Sequence, residues 1–337
     1  MKHNLLRNTT FILLAIGLFS CKKNNDEPAP AATVTTLAGN GIEGWADGNA
    51  ATAQFNRPIK IAVDGQGNIF ISDRKKYCIR RIAPDGTVTT IAGGSQGTAD
   101  GTGASAQFMI PGSIVADKQG NLYVGDGSRV RKITPDGTVT TLAGSSTAGS
   151  TDGTGTAAQF RSVGSMAMNS VGVLYVVDHD IPDIRPKIRK ISPSSEVTTF
   201  IDSTILFGIT EIVVNRDDNL LAVFLSFFSD ATIRKIAPSK NITQFAKIPS
   251  PDGMAIGPHD ELYFTATTNE RNTNFCKVYK VGSNSKYVPI AGGELGFADG
   301  DGAAAKFLLP NGLAVDAGGK IYVADTDNNR IRKITMH

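Results

Sequence analysis

The sequence predicts an all-β fold in which six similar units close into a ring, a six-bladed β-propeller. Three observations support this prediction: short β-branched runs bounded by turn residues, a unit that recurs six times, and a last copy that lacks one strand. The chain has 337 residues, of which 36 are glycine, 19% are charged and 41% are hydrophobic. This composition is typical of a globular protein, and long apolar helical stripes are absent.

The repeated unit is clearest between Phe55 and Gly93, where four strand-like runs follow one another. Gly67-Asn68 and Asp85-Gly86 supply the positive φ angles that tight hairpin turns require. We therefore expect the four runs to pair antiparallel. The other copies begin near Phe108, Phe160, Phe207, Pro251 and Phe307.

The last copy ends at His337, before its fourth strand. The missing strand is found at the other end of the chain, where residues 33–39 repeat the sequence of residues 138–144, the fourth strand of the second copy. The N-terminal strand is therefore expected to complete the sixth blade, whereas an open solenoid would need capping repeats. The propeller is predicted to span residues 33–337.

One stretch of the last copy carries a family resemblance. Residues 310–316 read PNGLAVD, residues 321–325 read IYVAD and residues 329–334 read NRIRKI, and together they resemble an NHL repeat. The resemblance implies a six-bladed NHL propeller. It leaves function open, because propellers of this type serve as protein-binding, RNA-binding and enzymatic scaffolds.

Residues 1–20 are predicted to be a lipoprotein signal peptide. Lys2 and Arg7 precede an apolar run from Phe11 to Phe19, which is too short to span a bilayer as a mature helix. The run ends at Leu18-Phe19-Ser20-Cys21, which resembles a bacterial lipobox. This resemblance implies cleavage before Cys21 and its acylation, palmitate included. The alternative is a plain secretory signal.

Residues 21–32 are predicted to be a flexible tether, and their polar sequence resembles the surface-export signals of Bacteroidetes lipoproteins. The expected location is the cell envelope, anchored to the outer membrane by the lipid alone. A net charge of +3 does not favour a nucleic-acid partner. A monomer is expected.

Cys78 and Cys276 fall at matching places in blades one and five. Blade six stands between those blades, so the Cα atoms cannot approach to the ~7 Å that a disulfide requires. Both residues are predicted to be free thiols.

Function is expected on one face of the ring. The loops between blades and the loops joining second to third strands open on the same side, which we call the long-loop face; the tight turns lie on the other, the short-turn face. Trp45 and Phe297 occupy equivalent loop positions in neighbouring blades and predict a platform for a sugar or an apolar side chain. The alternative is that each packs over its own loop.

The channel mouth is a second candidate site. Lys60 and Glu211 depart from the Gly or Ser that most copies carry at this position. A polar mouth of mixed sign is predicted, either a ligand site or an ordinary solvated rim. Its other members are Arg57, Arg161, Asp252 and Asn311.

Blade four offers a third candidate. Its loop after the second strand contains Leu225, Phe227 and Phe228 where the sixth copy is polar, which predicts a protein-interaction patch. The alternative is that these side chains are buried in a decayed blade.

Several acidic and basic residues recur at fixed places. Asp47, Asp100, Asp152 and Asp299 lie in the between-blade loops and are expected to form Asx turns, with calcium at Asp299 and Asp301 as the alternative. The Arg-Lys pairs of the third strands are expected to pack their stems between blades and extend their charged groups to water. The recurring acids Asp73, Asp126, Asp178 and Asp325 are expected to fix loop backbones or pair with arginines.

Two enzyme classes are built on six-bladed propellers similar to this one. Amidating lyases bind zinc through channel histidines, but His179 and His259 are predicted to lie at opposite faces. Gluconolactonase-like hydrolases bind calcium through channel Glu, Asn and Asp, which Glu211, Asp252 and Asn311 resemble only in part. The sequence therefore favours a non-catalytic binding protein without a cofactor, with a glycan or a polypeptide as its ligand. A protein-interaction scaffold and a calcium-dependent lactonase-like or lyase-like enzyme are the alternatives.

Overall fold

Six antiparallel sheets surround a central channel in the computed structural model, which describes residues 31–179, 186–202, 208–225, 231–270 and 273–337. First strands of successive blades contact one another, and the first strand of blade six contacts that of blade one. The six-bladed β-propeller predicted from the sequence is confirmed.

In blades one to five, the four main strands run outward from the channel in chain order, and in blade six the fourth strand comes from the N-terminus. The first strands are Pro58–Val63, Pro111–Ala116, Val163–Met168, Ile209–Val214, Gly253–Ile256 and Pro310–Val315. The second strands are Ile69–Asp73, Leu122–Asp126, Leu174–Asp178, Leu220–Phe224, Leu262–Glu270 and Ile321–Asp325. The third strands are Cys78–Ile82, Arg129–Ile133, Lys187–Ile191, Ala231–Ile236, Thr273–Val281 and Arg330–Met336. The fourth strands are Thr87–Gly93, Thr138–Gly144, Glu196–Ile201, Ile242–Ile248, Tyr287–Glu294 and, for blade six, Ala32–Ala38.

Blades one, two, three and six carry a short fifth strand outside the fourth, contributed by the loop that enters the blade. These strands are Gly48–Asn49, Gly101–Thr102, Gly153–Thr154 and Gly300–Asp301. Short 3₁₀ helices occur at Arg74–Lys76, Gly103–Ser105, Gly155–Ala157, Gly302–Ala304 and Thr326–Asn328. No helix of the described residues is long and apolar enough to cross a membrane.

The N-terminal strand closes the ring as predicted. Ala32–Ala38 pairs antiparallel with Arg330–Met336, with Val34 opposite Ile334. The His337 amide donates a hydrogen bond to the Ala31 carbonyl at 2.9 Å. The start of the N-terminal strand and the end of the last strand therefore meet on the short-turn face. Val34 is fully buried, so the strand also fills the core between blades five and six.

The core lies between adjacent sheets, where side chains of one blade pack on the next. A phenylalanine at the entry of blades one, two, three and six is fully buried there. These residues are Phe55, Phe108, Phe160 and Phe307. Cys78 and Cys276 are both buried free thiols, which confirms the prediction that they are not bridged.

The prediction that third-strand arginines extend to water is wrong. The first arginine of each pair is fully buried in blades one, two, three and six: Arg80, Arg131, Arg189 and Arg332. Each guanidinium lies over the buried phenylalanine of its own blade, 5.1–5.3 Å from the ring centroid. A buried guanidinium is costly unless it is paired and hydrogen-bonded, so its partners decide whether the arrangement is stable.

Blade two shows how these partners are arranged. Arg131 Nη2 donates to Asp100 Oδ1 at 2.7 Å and to the Ala99 carbonyl at 3.0 Å, while Nη1 donates to Asp126 Oδ2 at 3.2 Å and to the Gln107 carbonyl at 2.9 Å. One arginine therefore joins both ends of the between-blade loop to the end of the second strand.

The loop aspartates differ from the predicted Asx turns. Asp100 accepts hydrogen bonds from the backbone amide and the hydroxyl of Thr141 in the fourth strand, besides its ion pair with Arg131. Asp299 does the same with Thr36 and Arg332, so its carboxylate is engaged within the fold. The carboxylates at the ends of the second strands behave as predicted: Asp126 accepts from the Met109 and Ile110 amides and pairs with Arg131.

Blades four and five replace the arginine link with aromatic packing. Arg234 is only half-buried and lies 4.5 Å from the Phe224 ring centroid. In blade five, Tyr279 takes the equivalent place and stacks on Phe264 at 4.9 Å. In the described part of the chain, these two sheets have four strands each.

We expect Arg131→Met to lower the free energy of unfolding by about 3–5 kcal/mol, because the Asp126 carboxylate would stay buried without its cation. Urea denaturation measures the change. Lys132→Met is the matched control, since Lys132 is the half-buried neighbour of Arg131 on the same strand. Equal loss of stability in both variants would contradict the role given to Arg131.

Deletion of residues 1–38 should prevent formation of a monomeric propeller, because the Arg330–Met336 edge and the core around Val34 would be exposed. Deletion of residues 1–30 is the control and should leave the ring intact. Size-exclusion chromatography and the melting temperature compare the two proteins. A cooperative, monomeric product from the longer deletion would refute closure by the N-terminal strand.

Candidate functional site

A salt bridge spans the channel at its long-loop end. Lys60 of blade one and Glu211 of blade four lie on opposite sides of the six-membered ring, and Lys60 Nζ is 2.5 Å from Glu211 Oε1. Ser165 Oγ donates to Glu211 Oε2 at 3.0 Å, and Lys60 Nζ also donates to the Asp252 carbonyl at 3.3 Å. Lys60, Glu211 and Asp252 thus converge, as the sequence predicted for the mouth.

The charged groups at the mouth are partly removed from water. The Lys60 and Glu211 side chains are 22% and 14% exposed. Burial raises the pKa of the Asp252 carboxyl, and the negative charge of Glu211 raises it further. Hydrogen bonds from Thr267 and the positive charge of Lys60 lower this pKa and offset part of the increase. The Lys60 and Glu211 charges therefore both act on the Asp252 carboxyl.

His179 approaches this group from blade three. A Cβ atom at Gly164 would lie 2.3 Å from His179 Nε2, so the absence of a side chain at Gly164 makes room for the imidazole. Burial lowers the pKa of His179, and the Asp178 and Glu211 charges oppose that shift. The histidine is therefore neutral near neutral pH. His259 lies in the tight turn of blade five on the other face, as predicted.

Below the salt bridge, the channel encloses a cavity of about 300 Å³. Its walls are the six first strands, with apolar side chains such as Met166, Met254 and Leu313. The bridge between Lys60 and Glu211 stands at one end of this cavity and restricts access to it from the long-loop face.

A larger concavity, of about 530 Å³, opens on the long-loop face beside the mouth, where blades six, one and two meet. Arg57 and Asn311, both predicted site residues, line it. Other lining residues were not predicted: Ile59, Arg74, Lys75, Tyr77, Gln96, Met109, Ile110 and Thr326. We call this feature the basic concavity, because its charged lining residues are cations.

Arg57 is held by contacts with blade six. Its φ angle is 56°, an unusual value for a residue with a side chain. Its amide donates to Asn329 Oδ1 at 3.0 Å, and its Nη2 lies 3.0 Å from Asp327 Oδ1. These contacts hold the strained backbone in place and fix the position of the guanidinium.

Asn311 and Arg161 take different roles. Asn311 Nδ2 donates to Thr326 Oγ1 at 3.0 Å and to the Leu309 carbonyl at 3.3 Å, so this side chain is engaged in supporting the rim. Arg161 is exposed in blade three, and its amide donates to Asp178 Oδ1. Arg161 does not line the basic concavity or the channel cavity.

Trp45 and Phe297 are exposed by 56% and 45%, respectively. Each lies against a cation of its own blade: Lys76 Nζ is 4.6 Å from the Trp45 ring centroid, and Arg330 Cζ is 3.8 Å from that of Phe297. No ring contact joins the two aromatics. Each ring is partly covered by its cation, and the joint platform predicted from the sequence stays a prediction.

In the blade-four patch, Leu225 is 39% exposed. Phe227 and Phe228 lie outside the described residues. Cys21 and the rest of the predicted leader do so as well.

The short-turn face carries a concavity of about 750 Å³ at the other end of the channel. Its rim is made by the tight turns of blades two to five and includes Lys118, Arg216, Asp218 and Asp260. Asp218 and Asp260 accept hydrogen bonds from the turn of the preceding blade, so these carboxylates join neighbouring turns. The sequence predicted only tight turns on this face and no concavity.

The unpredicted lining residues Arg74 and Lys75 could have been recognised by comparing equivalent loops of the repeat. The loop after the second strand reads Arg74-Lys75-Lys76-Tyr77 in blade one but Thr326-Asp327-Asn328-Asn329 in blade six. Both segments form a 3₁₀ turn, so the replacement of neutral and acidic residues by three cations is a local change on the same scaffold. Among the described residues, no three His, Cys, Asp or Glu side chains are grouped to hold a metal ion.

Comparison with known proteins supports the fold. Human teneurin-1 is 26% identical over 253 residues, which is 70% of this chain and 8% of teneurin-1. The chain therefore spans less than a tenth of that relative. An auxiliary nutrient binding protein from Bacteroides thetaiotaomicron superimposes with a TM-score of 0.65 at 15% identity, covering 90% of this chain and 76% of that one.

A gluconolactonase from Xanthomonas campestris superimposes with a TM-score of 0.63 at 14% identity, covering 91% of this chain and 90% of that one. At such identities the likeness establishes the fold alone. The NHL repeat family matches residues 307–334, which form the three C-terminal strands of blade six. The chain is a six-bladed β-propeller whose last blade carries an NHL repeat.

Proposed function

We propose that this protein is a non-catalytic binding module of the cell envelope whose long-loop face holds a glycan or a polypeptide. The distribution of exposed apolar side chains carries this proposal. Of ten large apolar side chains that are exposed among the described residues, eight belong to the loops of that face. They are Ile42, Trp45, Met109, Ile110, Leu225, Leu295, Phe297 and Leu309.

Such clustering is unusual for a surface that faces only water. Seven of the eight residues lie in the loops that enter blades six, one and two, and two of them, Met109 and Ile110, line the basic concavity. The volume of this concavity, about 530 Å³, lies within the range of small-ligand sites. Of the predicted mouth residues, Arg57 and Asn311 line this concavity, and Lys60 and Glu211 line the channel cavity.

The fold by itself does not choose between binding and catalysis, since a nutrient-binding protein and a gluconolactonase share it. A calcium-dependent enzyme would use Glu211, whose two carboxylate oxygens are engaged by Lys60 and Ser165. That engagement favours a structural role for Glu211 and supports the binding proposal.

A second candidate, a protein-interaction scaffold, is supported by Leu225 in blade four. Its side chain is 39% exposed directly after the second strand, away from the basic concavity. Phe227 and Phe228 would extend this apolar patch.

The lipid anchor at Cys21 is part of the proposal. The chain enters the propeller at Ala31, beside His337 on the short-turn face. A tether that joins an anchored Cys21 to Ala31 would hold the short-turn face towards the membrane and direct the long-loop face outward.

Cys21→Ala should move the protein from the membrane fraction to the soluble fraction and abolish incorporation of labelled palmitate. The physical reason is loss of the acyl chains that anchor the protein. Cys276→Ala is the control and should keep both properties, because that thiol is buried. Continued labelling of the Cys21→Ala protein would refute the anchor.

A thermal-shift screen of residues 31–337 against glycans and peptides should identify a stabilising ligand. A ligand at 100 times its dissociation constant adds about 2.7 kcal/mol to the free energy of unfolding. We expect Trp45→Ala or Phe297→Ala to reduce the shift, and Val171→Ala to leave it unchanged. Val171 is 68% exposed on the short-turn face and serves as the matched control. Equal effects of all three changes would contradict binding at the long-loop face.

A further inference from the structure

The geometry points to the basic concavity as the binding site for an acidic polypeptide segment that carries an apolar side chain beside its carboxylates. This inference rests on the proposed binding function and names the ligand class. Three cations line the concavity, Arg57, Arg74 and Lys75, and no carboxylate lines it. An anionic ligand is therefore the one that this surface complements.

Two of the cations have no acidic partner. Arg74 and Lys75 are exposed, and no carboxylate among the described residues lies within ion-pair distance of either. They sit on the 3₁₀ turn Arg74–Lys76, which Tyr77 closes with a hydrogen bond from its amide to the Arg74 carbonyl. The charges are thus carried by an ordered turn, so a ligand need not order a mobile loop to bind them.

Arg57 adds a third charge from the opposite wall. Its Nη2 lies 3.0 Å from Asp327 Oδ1, yet that oxygen accepts no hydrogen bond, so the pair lacks hydrogen-bond geometry. The N–H groups of this guanidinium can therefore donate hydrogen bonds to a ligand carboxylate. Such charge-assisted hydrogen bonds are stronger than those between neutral groups.

The apolar part of the concavity is equally fixed. Met109 and Ile110 are 37% and 42% exposed, although their amides both donate to the buried Asp126 carboxylate, at 2.8 and 2.7 Å. Their exposure is therefore imposed by an ordered backbone and is not the result of a flexible loop. With Ile59 they form an aliphatic wall facing the cationic turn.

This chemistry favours a polypeptide over an acidic saccharide. Sugars stack on flat aromatic faces, but the aromatic lining residue Tyr77 is partly buried against the core between blades one and two. Met109, Ile110 and Ile59 offer aliphatic contact instead. The exposed indole of Trp45 lies outside the concavity and is partly covered by Lys76. In a peptide with an apolar residue between two Asp or Glu residues, the apolar side chain would pack against the aliphatic wall. The flanking carboxylates would pair with Arg74 and Lys75.

The test uses fluorescence anisotropy with the propeller of residues 31–337, which contains all six sheets. The probes are a short labelled peptide with Glu on both sides of Leu, the same peptide with Gln in place of Glu, the same peptide with Ala in place of Leu, and an oligogalacturonate. We expect the Glu-Leu-Glu peptide to bind at least about tenfold more tightly than the Gln-containing peptide, as charge-assisted hydrogen bonds imply. Its affinity should fall as salt rises.

Two changes separate the charged and apolar contacts. Arg74→Gln combined with Lys75→Gln should weaken the Glu-Leu-Glu peptide at least about tenfold and flatten its salt dependence. Met109→Ser should weaken it without altering the salt dependence. Lys118→Gln removes an exposed cation from the short-turn face and should change nothing.

Equal affinity for the Glu-containing and Gln-containing peptides, or unchanged binding by the Arg74/Lys75 double variant, would overturn the inference. Binding of oligogalacturonate alone, lost in that double variant, would overturn the polypeptide as the ligand. A ligand that binds the long-loop face independently of Arg74, Lys75 and Met109 would refute this site and leave the proposed function standing. No ligand of any class on that face would refute both.

Discussion

A guanidinium buried within a blade needs ion-pair and hydrogen-bond partners, and in four blades this requirement determines how the between-blade loop runs. Arg131 and its counterparts hold the aspartate of the between-blade loop, the aspartate that ends the second strand, and two loop carbonyls. Because an unpaired charge in that place would be strongly destabilising, the loop has little freedom once the arginine is buried. The loops that enter these four blades are consequently ordered parts of the fold.

This constraint explains how the long-loop face can present apolar residues. The Met109 and Ile110 amides are bound to the same Asp126 carboxylate that pairs with Arg131, so the network that stabilises blade two also fixes two exposed side chains. A preformed surface loses less conformational entropy on binding than a mobile one. Blades four and five lack the arginine link, and aromatic contacts such as Phe264 on Tyr279 replace it there.

The channel mouth depends on a different contact, between opposite blades. Lys60 and Glu211 meet across the ring, and Ser165 of blade three completes the hydrogen bonding of the glutamate. The other four copies of the repeat have Gly or Ser at the position of Lys60 and Glu211, so only blades one and four carry this ion pair. It narrows a channel that the repeat alone would leave wider, and the basic concavity lies beside this mouth.

The sequence by itself determined the six-bladed ring, its closure by the N-terminal strand and the free state of Cys78 and Cys276, because these follow from repeat order and strand count. It also singled out Lys60 and Glu211 as departures from the repeat, though not their direct contact. Only the tertiary structure decided the burial of Arg131, the contacts of Trp45 and Phe297 with cations of their own blades, and the meeting of Arg57, Arg74 and Met109 in one concavity. Those features depend on how the side chains of adjacent blades pack and pair, and a one-dimensional repeat pattern does not specify such distances.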